Sequence, residues 1–252
     1  MDAVAVRIEG QGTPESAWQG CAWLEALPSV EADTVLLGAR RLIVVSPHPD
    51  DEVLGCGGLM QAAAAQGCAV QVISVTDGEA CYPDHPRLTP ARLRDARRRE
   101  LAVALQALGM DATHVTSLGL PDGAVARHET DLAAHLGARL SAGDVVLAPW
   151  IHDAHPDHEA AGRAARAAAA SCGARSLQYP VWAWHWLDAQ APAGPWTSAQ
   201  RIALCPAARA RKREAIAAFA TQTGEGEALG CEPILPEHVL DRFRRSFEVL
   251  IG

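Results

Sequence analysis

Short apolar runs at residues 42–45, 70–75, 113–117, 145–148 and 177–182, with a weaker one at 201–205, alternate with longer stretches of helical periodicity. The helix-like stretches are 58–66, 90–108, 129–140 and 159–171. A run such as Leu42-Ile43-Val44-Val45 has no polar alternation, so it suits a strand buried on both faces. Strands of that kind, each followed by a helix-length crossover, pair in parallel and need helices on both sides of the sheet. The spacing therefore predicts an α/β fold: a single-domain, Rossmann-like, mostly parallel sheet with helices on both faces. Two more helices are expected, at 206–220 and at 236–250, where Val239, Phe243, Phe247 and Leu250 recur at helical spacing. Residues 224–230, Gly-rich and acidic, read as a loop. Residues 41–252 form the main domain in this reading. Residues 1–40 are an extension packed on it, with a short helix at 14–27 carrying Trp18 and Trp23.

Composition narrows the function classes. A formal net charge of −8 over 252 residues gives no basic footprint for nucleic acid. No run reaches the ~20 apolar residues of a membrane span. The start, Met1-Asp2-Ala3-Val4-Ala5-Val6, has no basic region ahead of a long apolar one, so no signal peptide is read. The seven Cys are dispersed, none at Cys-x-x-Cys spacing, which suits reduced thiols and a cytoplasmic location. Nothing in the composition sets the oligomeric state.

Chemistry concentrates behind two of the apolar runs. Behind the first comes Ser46-Pro47-His48-Pro49-Asp50-Asp51-Glu52, and behind the fourth His152-Asp153-Ala154-His155-Pro156-Asp157-His158. Carboxyl ends of strands in open α/β sheets face the ligand crevice. His48 and Asp51 are three apart, so one turn can aim both at a cation and leave Asp50 free as a base. His155 and His158 share a helix start and can face the same place. Two imidazoles and a carboxylate suit a catalytic Zn²⁺ with one open position; Fe²⁺ is the other candidate. Gly55, Gly57 and Gly58 lack the following Lys-Ser/Thr of a phosphate loop and are read as a tight turn beside the metal.

The pairing of His-Pro-Asp-Asp-Glu with a later His-Pro-Asp-His resembles the zinc-dependent N-deacetylases of the PIG-L, or LmbE-like, family. Thr76-Asp77-Gly78-Glu79, Arg97 with Glu100, and Leu118-Gly119-Leu120-Pro121-Asp122-Gly123 match further pieces, as do Lys212 and Thr221-Gln222 near the end. Phe219 stands where that family usually has His or Tyr. The resemblance implies removal of an acetyl group from an N-acetylglucosamine-type substrate, so the partner it implies is a small molecule or a glycoconjugate. It implies His48, Asp51 and His158 as metal ligands, Asp50 as the base, and His155 unligated near the substrate carbonyl. Asp157 would orient His155, its plainer alternative being the N-cap of the following helix. Arg97 and Asp122 would contact substrate.

One residue stands out without the family. At about 100° per residue, Arg97 falls within the apolar stripe of Leu93, Leu101, Ala104 and Leu108. A guanidinium there needs a buried partner or a cavity. Trp182, Trp184 and Trp186 alternate, so in an extended chain they would share a face, as core or as an aromatic wall. Three rival readings remain: an amidase for a non-sugar or thiol-conjugate substrate, a non-haem iron oxygenase, and a binding module with a structural metal.

Overall fold

The computed structural model describes residues 8, 10–191, 193–224 and 230–252. Eight strands form one sheet in the order β1-β7-β8-β6-β5-β2-β3-β4. They are β1 (Ser29–Val30), β2 (Arg41–Ser46), β3 (Ala69–Thr76), β4 (Val115–Leu120), β5 (Asp144–Pro149), β6 (Arg175–Tyr179), β7 (Ala199–Ala203) and β8 (Phe247–Ile251). All neighbours pair in parallel except β8, which is antiparallel to both β6 and β7. From central β2 the chain builds outward through β3 and β4, then returns to β5 on the other side. The switch point between β2 and β5, where open sheets of this kind bind ligands, lies in the middle of the sheet.

Alternation along β2 feeds two cores. Leu42 and Val44 pack with α1 (Asp51–Ala65), α2 (Pro90–Ala107) and α5 (Pro206–Ala217). Ile43 and Val45 pack with α3 (Glu129–Gly137) and α4 (Pro156–Cys172). The expected α/β architecture with helices on both faces is thus the architecture observed. α4 offers Ala160, Ala161, Ala164, Ala165, Ala168 and Ala169 to the sheet, which lets its axis lie close to the strands.

Three expectations are corrected. Residues 236–250 are not a helix: a single turn at Glu237–Leu240 and a 3-10 turn at Asp241–Phe243 lead into β8. Of the four residues read at period 3.6, Val239 and Phe243 are buried in these turns, while Phe247 and Leu250 belong to β8, which fills the gap between β6 and β7. Gly55, Gly57 and Gly58 form no turn but lie within α1, which breaks at Cys56 (φ −148°, ψ 22°). Gly55 is required there because a Cβ would overlap the Tyr179 ring. Trp182, Trp184 and Trp186 are not extended, since Ala183–Trp186 is a helical turn. Their rings diverge: Trp184 packs edge-on to Trp18 and Trp196, Trp186 stacks on Trp150, and Trp182 faces the cleft.

In the N-terminal region, Trp18 is buried, its indole N–H donates to the carbonyl of Trp184, and β1 pairs with β7. Residues 1–7, 9 and 192 lie outside the described residues, as do 225–229, the greater part of the 224–230 stretch expected to be a loop. Among the described residues no helix is long and apolar enough to cross a membrane.

Candidate active site

β2 ends at Ser46 and α1 begins at Asp51, so the four residues between them sit in the switch-point crevice. Asp51 Oδ2 accepts from the backbone N–H of His48 at 2.9 Å, closing the turn and drawing both side chains together. Asp50 is the N-cap of α1 at φ 145° and ψ −31°, outside ordinary backbone space for an L-residue. Strain of that kind costs about 1–3 kcal/mol and persists only where the surroundings over-determine it. Arg97 and Glu52 supply the determination. Arg97 Nη2 donates to Asp50 Oδ2 at 3.0 Å and to the carbonyl of Pro49 at 2.8 Å, and Glu52 accepts from the Asp50 N–H at 3.2 Å.

On the β5 side, Pro156 opens α4 and His155 is its N-cap, which turns His158 back toward His48. His48 Nδ1, Asp51 Oδ2 and His158 Nε2 then lie 3.3 Å apart along all three edges. Tetrahedral ligands at about 2.1 Å from an ion are separated by about 3.4 Å, so the triangle has the size of one face of such a site. The far side of each imidazole is fixed for that purpose. His158 Nδ1 donates to Asp153 Oδ2 at 2.8 Å. His48 Nε2 faces Asp122 Oδ1 at 3.1 Å and Asp157 Oδ2 at 3.4 Å. With those nitrogens as donors, Nε2 of His158 and Nδ1 of His48 present lone pairs to each other and to a carboxylate. Two lone pairs and an anion facing one point is an arrangement for a cation, and the residues fit the metal that the sequence implies.

The surrounding carboxylates favour positive charge at the triangle, carried by protons on His158 and His48 until a cation displaces them. Burial opposes ionisation of Asp51, yet His158 and His48 outweigh it and hold Asp51 well below the usual carboxylate range. Burial likewise disfavours charge on His158, but Asp51 and Asp153 lift it to about 9. Asp50 behaves oppositely: burial raises it to about 7 against the pull of Arg97. Adjacent carboxylates are thus driven apart, one kept anionic among donors and one poised as a proton acceptor. Burial also pushes Glu52, which accepts from Ser46 Oγ, up to about 8.

The expected link between Asp157 and His155 is made differently. The Asp157 carboxylate accepts from the N–H groups of Gly123 (2.7 Å) and Val125 (3.0 Å) and faces His48, not His155. Its backbone N–H instead donates to His155 Nδ1 at 3.2 Å. That contact leaves the His155 proton on Nε2, in the cleft. Burial, then the neighbouring His158 and His48, lower the His155 pKa to about 3, so it stays a neutral donor. The N-cap of α4 is His155 rather than Asp157.

Arg97 and Asp122 line the cleft but are already engaged. Arg97 also donates to the carbonyl of Gly78 at 3.0 Å, and Asp122 Oδ2 accepts from Ala80 N–H at 2.8 Å. Gly78 sits at φ +64°, where a Cβ would overlap the Arg97 guanidinium. Asp153 carries more than its position ahead of the His-Pro-Asp-His motif suggests. Besides His158, it accepts from the N–H groups of Val181, Trp182 and Ala183. Lys212 belongs to the C-terminal piece that resembles the family, but its partner Glu248 escapes any motif reading. At the Cys56 break, Lys212 Nζ takes the Leu54 carbonyl while Glu248 accepts from Gly58 and Leu59 N–H, and the two charges meet at 2.6 Å.

Fold and site define a class: an α/β protein with two imidazoles and a carboxylate converging at a sheet switch point, beside a buried acid. The family model described as PIG-L: GlcNAc-PI de-N-acetylase matches residues 43–169, just over half of the 252-residue chain. The chain belongs to this family. A 1D-myo-inositol 2-acetamido-2-deoxy-alpha-D-glucopyranoside deacetylase of Kineococcus radiotolerans is 35% identical over 125 residues, 48% of this chain and 34% of that protein. The match thus spans about a third of that curated relative's length. The A40926 pseudoaglycone deacetylase Dbv21 superposes with a TM-score of 0.60 at 26% identity, over 84% of this chain and 96% of that one. A 4-carboxy-2-hydroxymuconate hydratase of Pseudomonas putida shares the fold at 20% identity and a TM-score of 0.56, covering 81% of this chain and 82% of its own. The fold therefore carries more than one reaction, and the side chains of the site must decide between them.

Proposed function

We propose that the protein is a metal-dependent hydrolase that removes the N-acetyl group from an amino sugar of the N-acetylglucosamine type. The observation that carries this reading is the 3.3 Å triangle of His48, Asp51 and His158, with buried Asp50 beside it. Zn²⁺ suits the donor set, with Fe²⁺ the alternative. Such an ion, when bound, supplies Lewis acidity and brings the pKa of a bound water down to about 7.

The remaining work falls to the chain. Asp50, held by Arg97, takes the proton of the attacking water and returns it to the leaving amine. Neutral His155 donates its Nε2–H to the amide oxygen as negative charge develops there. Asp122 and Asp157 keep the proton of His48 on Nε2, and Asp153 keeps that of His158 on Nδ1. Arg97 acts by fixing Asp50. The products are acetate and a free amine. Residues 41–252 serve as the catalytic domain and residues 1–40 as an extension packed on it. The seven unpaired cysteines support a cytoplasmic location.

The test is elemental analysis of the purified protein alongside acetate release from N-acetylated amino sugars. One equivalent of zinc or iron is expected, with acetate release lost on chelation and restored on adding the metal back. A metal-free protein, or one that releases no acetate from any amino sugar when loaded, would refute the proposal.

A further inference from the structure

The cleft beside the triangle is small, about 290 Å³, and its lining is divided between apolar and polar side chains. Leu54 from α1, Cys81 from the loop after β3, Val181 and Trp182 from the loop after β6, and Ile234 and Leu235 from the C-terminal segment form the apolar part. Most of its polar side chains are committed to one another or to backbone groups. Both Asp122 oxygens have partners, His48 Nε2 and Ala80 N–H. Arg97 donates to Gly78, Pro49 and Asp50, and its Nε is buried away from the opening. Gln222 Nε2 is spent on Thr221 Oγ1 and Cys81 Sγ. Asp50 and His155 are reserved for the reaction in the reading above. A bare sugar ring brings several hydroxyls that lose water on entry and need replacement hydrogen bonds. The apolar part of the lining offers apolar contact instead.

We propose that this cleft selects an N-acyl amine bearing an apolar group beside the scissile amide, over a substrate that is hydroxylated on every side. The inference rests on the amide-hydrolase reading and adds the substrate class. The apolar group can sit on the amine portion, as an alkyl or aryl aglycone, or on the acyl portion, as a chain longer than acetyl. A volume near the lower end for ligand pockets admits one ring with a short apolar substituent.

The experiment measures free-amine release by the metal-loaded protein along two arms. One compares methyl with n-hexyl glycosides of N-acetylglucosamine; the other compares N-acetyl with N-hexanoyl glucosamine. Each buried methylene is worth roughly fourfold in kcat/KM, so a rise of at least about tenfold is expected in one arm, which then identifies the side. Trp182→Ala should shrink that ratio, and because the ratio is the readout, a general loss of folded enzyme cancels. Amine released with ratios near one in both arms overturns the substrate class and leaves the deacetylase reading standing. No amine from any member overturns both.

Discussion

Replacing Asp153 by Asn tests whether the second layer around the triangle holds the site together. Four donors converge on the two oxygens: Val181 and Ala183 N–H on Oδ1 at 3.1 and 2.8 Å, and Trp182 N–H and His158 Nδ1 on Oδ2 at 2.9 and 2.8 Å. Asparagine keeps the shape but turns one oxygen into a donor. Either orientation of the amide strands two of the four donors in a fully buried place. Each stranded donor costs about 1–3 kcal/mol, so the loss is about 2–6 kcal/mol. At about 2–4 °C per kcal/mol for a domain of this size, the metal-free Tm should fall by at least about 4 °C. The charge behind the His158 ring also disappears in both orientations, and metal affinity should drop about 10–100-fold. Thermal unfolding of the metal-free protein and Zn²⁺ titration against a competing chelator read the two effects separately. A Tm within about 2 °C of wild type, with affinity within about twofold, would refute the role given to Asp153.

Other perturbations separate the parts of the site. Asp50→Asn should retain metal while turnover falls by about 10²–10⁴, measured as acetate release beside elemental analysis; near-normal turnover would remove Asp50 as the base. His158→Ala should lose the metal first, since it takes one corner from the triangle, and equimolar metal in the purified variant would contradict the ligand assignment. Lys212→Met leaves the Glu248 carboxylate buried without its counter-ion and should cost about 3–5 kcal/mol in denaturant unfolding, with partial recovery when Glu248→Gln is added. Gly78→Ala forces a Cβ onto the Arg97 guanidinium at a positive φ. It should lower stability by about 1–3 kcal/mol and reduce kcat by displacing Asp50; unchanged kcat would detach Arg97 from the base.

Much of this protein is legible in its sequence because the signals are local. Runs such as Leu42–Val45 and the helical stretches between them specify strands, crossovers and a parallel sheet, since burial on both faces leaves no polar alternation to satisfy. The His48-to-Asp51 and His155-to-His158 spacings each fit within one turn, so the sequence already brings the members of each pair together. That the pairs converge follows from βαβ topology, which places both at the carboxyl ends of neighbouring strands. Arg97 is conspicuous for the same local reason: a charge on an apolar stripe. The periodicity of 236–250 misleads because Val249 to Ile251 gain more by completing the gap between β6 and β7 than by forming a helix. Only the tertiary structure assigns the carboxylates their tasks. Asp157 serves His48, and Asp153 holds His158 with three backbone amides more than 20 residues away in sequence. Arg97 is spent on Asp50, and Lys212 with Glu248 bridges a helix break that no motif announces. Spacing along a chain fixes what neighbours in sequence can reach, whereas the partner of a buried charge is chosen by whatever the fold packs against it.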